Sequence, residues 1–167
     1  MRPGRCGPFG PSGCDACRED DRVEAAIGTQ DRLALVVAYD RAISSAVAGW
    51  LEAAGFDVDL CPGPLGPAYR CIATDVRGCP LARIADVIVL DLWLHSDADD
   101  AGSSALELIR YYRSLGRSLI VLDHDRSGSS FFAAQRVAIL SWPPIRSEIE
   151  RFAVTLAPEA GALPTVR

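Results

Sequence analysis

The stretch Ala85-Asp86-Val87-Ile88-Val89-Leu90-Asp91-Leu92-Trp93-Leu94 decides the fold. Val87 to Leu90 is a short, unbroken apolar run, the pattern of a strand buried on both faces of a parallel sheet. Asp91 follows at the point where that strand leaves the core. In an open α/β sheet, ligands bind at the carboxyl ends of the strands. Asp91 is therefore the first candidate functional residue.

Outward from this strand, helix and strand patterns alternate. Leu33 to Tyr39 reads as a buried first strand. Asp40 stands as N-cap of a helix carrying Ile43, Val47, Trp50, Leu51 and Ala54, with Gly55 as its left-handed stop. Phe56 to Leu60 is a short second strand. The segment Cys61 to Arg83 holds four Pro, three Gly and three Cys and reads as irregular. After the central strand, a polar loop covers His95 to Gly102. A capping box at Ser104 and Glu107 then opens a helix with Leu108, Ile109, Tyr112 and Leu115 in its core stripe. Ser118 to Leu122 is a fourth strand, and Asp123 to Gln135 reads as a polar turn with a short helix at most. Val137 to Ser141 is a fifth strand, stopped by Trp142-Pro143-Pro144. A last helix carries Ile145, Ile149, Phe152, Ala153 and Leu156.

Five strands alternating with helices predict an α/β fold, a parallel sheet in order 2-1-3-4-5 with helices on both faces. The Cys/Pro/Gly-rich segment takes the place of the second helix. Residues 1–31 read as a flexible tail: Met1 to Gly13 alone holds four Gly and three Pro and no hydrophobic period. Residues 32–157 form the domain, and 158–167 a C-terminal tail.

Composition narrows the function. Of 167 residues, 49% are hydrophobic and 23% charged, which suits a packed soluble core. With 17 basic and 22 acidic residues the net charge is -5, and no basic block occurs, which argues against a nucleic-acid surface. No apolar run is long enough to span a membrane, and the N-terminus lacks a signal-peptide apolar region. The expected location is cytoplasmic, where the six cysteines serve as thiols or metal ligands rather than structural disulfides.

From Leu33 to about Leu156 the chain resembles a bacterial response-regulator receiver domain. Val36 to Ile43 resembles the first strand and turn, where the family's acidic Mg²⁺-binding pair falls on Ala38 and Tyr39 and only Asp40 is acidic. Asp91 matches the phospho-acceptor, and Ala105 to Arg110 the helix entered after it. Leu119 to His124 matches the fourth strand, with Asp123 at the switch Thr/Ser position. Ile139 to Pro143 matches the fifth, with Trp142 in place of the lysine before proline.

The groups that phosphoryl transfer needs, a cation clamp and fixed positive charge, are the ones replaced. A second carboxylate at Asp123 would raise the pKa of Asp91 and repel a phosphate dianion. The resemblance thus implies a pseudo-receiver: a non-enzymatic signalling or assembly module that binds a protein partner, with self-association compatible and phosphorylation not expected. Asp91 itself has two readings. It can accept neighbouring backbone amides, or form a remnant cation site with Asp40 and Asp123, since hard cations take oxygen ligands. Trp142 reads as packing in the space left by the switch machinery.

The cysteines carry the alternative function, a metal or redox sensor on the same scaffold. Cys14-x-x-Cys17 has metal-ligand spacing, and Cys71 and Cys79 folding against it would make a tetrathiolate for zinc or an iron–sulfur cluster. Cys6 and Cys61 are secondary candidates, because Cys61 belongs near the carboxyl ends of the strands and Cys79 nearer the opposite face. The competing reading packs Cys71 and Cys79 as small hydrophobes. A third function is a small enzyme using Asp91, Asp123 and a histidine. His95 and His124 themselves read as surface loop residues, and Ser127 to Ser130 as an ordinary turn.

Overall fold

The computed structural model describes residues 32–64, 71–74, 78–93 and 101–157. Among these residues six strands form one sheet: β1 (Arg32–Val37), β2 (Phe56–Cys61), β3 (Val87–Asp91), β4 (Ser118–Asp123), β5 (Ser130–Phe132) and β6 (Val137–Ser141). Their spatial order is β2-β1-β3-β4-β6-β5. The five longer strands are parallel, in the predicted order, and β5 pairs antiparallel with β6. The sixth strand corrects the five-stranded expectation. Residues 123–135 are not merely a turn: the chain reverses, with Gly128 at φ 89°, and pairs Phe131 with Ala138. Phe131 also sets its ring 5.2 Å from that of Phe152.

Among the described residues, four α-helices cover the sheet: α1 (Arg41–Ala53), α2 (Pro80–Ile84), α3 (Ala101–Ser114) and α4 (Arg146–Leu156). Alternation along the strands divides the core in two. Ala34, Val36, Val87, Val89, Ile120, Leu122, Ala138 and Leu140 face α1 and α4, where Val47, Leu51, Ile149, Phe152 and Leu156 close the layer. Leu35, Val37, Ile88, Leu90, Leu119 and Val121 face Ala82 of α2 and Leu108 and Tyr112 of α3. Each fully buried Leu or Ile contributes about 1.5–3 kcal/mol relative to exposure. β3 is buried along its whole length, as its apolar run requires.

Asp40 is the N-cap of α1, its Oδ1 accepting the amides of Ala42 at 2.7 Å and Ile43 at 3.4 Å. Two expectations need correction. The segment Cys61 to Arg83 is not wholly irregular: it contains a 3-10 turn at Ile72–Thr74 and the five-residue helix α2, led by a proline. The α3 helix starts at Ala101, so Ser104 lies within its first turn instead of capping it. Among the described residues, no helix is long and apolar enough to cross a membrane. Edge strand β2 exposes Asp57 and Asp59, charges that discourage pairing with another sheet edge.

Candidate functional site

The site stands where β3, β4 and β6 end, and strand alternation builds it. Val87, Val89, Leu122, Leu140 and Ala138 share one face of the sheet. Two residues further along each strand come Asp91, His124 and Trp142, which period-two alternation carries to that same face. Asp91 pairs in register with Leu122, so His124 arrives beside it, and Asp123 belongs to the other face.

The result is a closed arrangement. Nε2 of His124 lies 2.8 Å from Oδ1 of Asp91. The Asp91 side chain is 1% exposed and that of His124 8%. The same Oδ1 accepts the Trp93 amide at 3.0 Å. Trp93 stacks on the imidazole with centroids 4.5 Å apart and planes parallel, and Trp142 stacks on the other side at 4.0 Å and 15°. The histidine ring is thus held between two indoles with a carboxylate at its edge. The backbone fixes the loops: Leu92 N–H donates to Leu122 O, and Trp142 N–H to Asp123 O, each at 3.1 Å. The Trp142–Pro143 peptide bond is cis.

Burial pushes the Asp91 carboxyl above the ordinary carboxylate range; the Trp93 amide and His124 pull it back in part, and the charge on Asp40 adds to the rise. Burial, not Asp123, is the main cause, which corrects the expectation of a paired second carboxylate. Asp123 instead accepts the Asp125 amide at 3.1 Å in a local turn.

His124 was expected on a surface loop, and this too is corrected. The signal was available in Ile120-Val121-Leu122-Asp123-His124, whose alternation continues one step past the last apolar residue. Trp93 was missed for the same reason on β3. His95 lies outside the described residues.

Each carboxylate of the expected remnant cation site has a partner of its own. Asp40 is committed to the α1 cap, Asp123 to its turn, and Asp91 to His124. Among the described residues no three His, Cys, Asp or Glu side chains come together as a metal-holding group. The residues present therefore do not fit the acidic cation cluster that the resemblance would call for.

The second group of interest lies on the opposite face of the sheet. Cys61, Cys71 and Cys79 are thiols, not disulfides. Cys71 and Cys79 are buried, and half-buried Cys61 packs against the same cluster. All three raise the Tyr112 phenol in addition to the larger effect of its burial, with Cys71 the strongest of them. Cys71 and Cys79 pack among apolar side chains, and among the described residues no metal-holding group forms. Cys6, Cys14 and Cys17 lie outside the described residues.

No protein-family model matches the chain, and no curated protein matches it in sequence. Solved structures do match. A response regulator receiver domain protein from Bacillus halodurans superposes with a TM-score of 0.55 at 17% identity, over 77% of this chain and 99% of that one. A response regulator from Burkholderia pseudomallei, solved with a phosphorylated aspartic acid, calcium ion and citrate, gives 0.48 at 22% identity, over 71% and 64%. The chain has a receiver-like α/β fold.

Proposed function

We propose that this chain is a non-enzymatic, receiver-like signalling or assembly module that acts by binding a protein partner and does not take up a phosphoryl group at Asp91. The supporting observation is the state of that carboxylate. It is almost wholly buried, one oxygen already accepts the Trp93 amide and meets the His124 ring nitrogen, and its neighbours are a histidine and two indoles. In-line phosphoryl transfer needs the acceptor oxygen open to the donor and mobile positive charge around the transferred group. Here the neighbouring imidazole is already engaged with Asp91 itself.

In this reading residues 32–157 are the working domain, with 1–31 and 158–167 as tails, in a cytoplasmic protein. The amide fingerprint spectrum of the protein should be unchanged by acetyl phosphate and Mg²⁺ together. Shifts spreading from Asp91 through β4 and β6, and absent in Asp91→Asn, would replace this reading with a phosphorylation switch.

A further inference from the structure

We propose that the outer edge of β5 takes up an extended segment of a protein partner as an added strand, a segment whose apolar core is flanked by acidic residues. β5 closes the spatial order β2-β1-β3-β4-β6-β5, so among the described residues its outer side has no neighbouring strand. An edge strand presents unpaired amides and carbonyls on which another chain can pair, and strand addition is a recurrent mode of peptide recognition. The inference rests on the reading of the chain as a partner-binding module and names the docking surface. Phosphoryl uptake at Asp91 is decided by its own measurement, so the two readings fail separately.

The two edges of the sheet differ. β2 carries exposed Asp57 and Asp59, whereas no charged residue occurs from Ser127 to Gln135. Phe131 pairs with Ala138 on the face covered by α1 and α4, and Phe132 pairs with Val137 on the face covered by α3. The two rings thus lie on opposite faces of the edge, and they remain 41% and 42% exposed. An added strand covers both only if it brings consecutive apolar residues, one for each face.

Charge selects what flanks that core. Arg126 and Arg136, both exposed, stand at the two ends of β5. Arg126 donates to Gly128 O at 3.2 Å and to Ser130 Oγ at 2.6 Å, and Arg136 donates to Leu156 O at 3.0 Å. These acceptors are neutral, so they position the guanidinium groups without cancelling their charge. The nearby Glu148 accepts from Ser129 Oγ at 3.0 Å and faces Arg151 at 3.9 Å. A second copy of the chain is the poorer occupant. Antiparallel pairing centred on Phe131 would carry Arg126 of each copy toward Arg136 of the other, and like charges oppose that contact. An acidic residue beyond each end of the core meets an arginine instead.

The test titrates the full chain with the end-capped peptide Asp-Val-Ile-Val-Asp and follows the backbone amide shifts. Shifts are expected at Ser130 to Phe132 and along β6, with none at the β2 edge. The same core between two lysines should bind at least about fivefold more weakly, since two exposed attractions become repulsions, and Arg126→Gln should narrow that gap. The acid-ended peptide N-methylated at its three apolar residues should not bind, because strand addition needs those amides. No shifts with the acid-ended peptide, equal binding of the lysine-ended one, or binding that survives N-methylation would each overturn the proposal. Concentration-dependent broadening of the β5 amides without peptide would assign the edge to a second copy and overturn it as well.

Discussion

His124 Nε2 sits 2.8 Å from Asp91 Oδ1, in a setting where both side chains are almost removed from solvent. Burying polar groups is costly unless they are hydrogen-bonded, and here that compensation holds only while both members are present. The structure adds two further terms, an amide from Trp93 to the same oxygen and an indole on each face of the ring. The pair is therefore a coupled unit.

His124→Ala should lower unfolding stability by about 3 kcal/mol, because it leaves a buried carboxylate without its partner. Asp91→Asn combined with His124→Ala should cost less than the sum of the two single changes, with a coupling of at least about 1 kcal/mol. Urea melts of the four proteins at neutral pH measure this. Additive effects would mean that the pair is two independent residues.

The pH dependence has a definite sign. Asp91 ionises at higher pH in the folded chain than in the unfolded one, whose Asp value is about 3.9. Between those two values the native state holds more protons, so the Asp91 contribution is full below the unfolded value and is lost as pH rises through the folded one. Asp91→Asn removes this loss. Stepped-pH urea melts should show the variant gaining on the wild type as pH rises across that window; a wild type that gains instead would contradict the burial account.

Tyr111→Phe tests the connection to α2. The Tyr111 hydroxyl accepts the Cys79 amide at 2.7 Å, and a buried amide left without a partner costs about 1–3 kcal/mol. Gly78→Ala attacks the same place from the backbone: φ is +66°, and a Cβ would lie 2.6 Å from Tyr111 Oη. Both variants should speed hydrogen exchange at Cys79 to Ile84 ahead of the rest of the sheet. Unaltered exchange there would place the support for α2 elsewhere.

Asp40→Ala should cost about 1 kcal/mol, the loss of an N-cap. The effect should be the same with or without Mg²⁺, since the Asp40 carboxylate caps the first amides of α1. A thermal melt in which Mg²⁺ stabilises the wild type and not the variant would revive the cation site.

The five parallel strands were readable because each carries an apolar run or alternation of five or six residues, enough to declare a period. β5 and α2 were not. Ser130–Phe132 and Pro80–Ile84 are too short for any period to emerge, and β5 exists because Phe131 finds Ala138 and Phe152, partners distant in sequence. At the site, Asp91 and the capping role of Asp40 were legible from local pattern. Asp123 aligns with the switch position, although its own alternation directs it away from Asp91. His124 was overlooked because a lone polar residue after an apolar strand looks like a loop until the neighbouring strands are in register.

The central claim is that Asp91 is occupied by an internal partner and does not accept a phosphoryl group. The direct measurement is the intact mass of the wild-type protein after incubation with acetyl phosphate and Mg²⁺, beside Asp91→Asn treated identically. The account predicts the same unmodified mass for both. A stoichiometric phosphoryl adduct on the wild type that is missing from Asp91→Asn would contradict it.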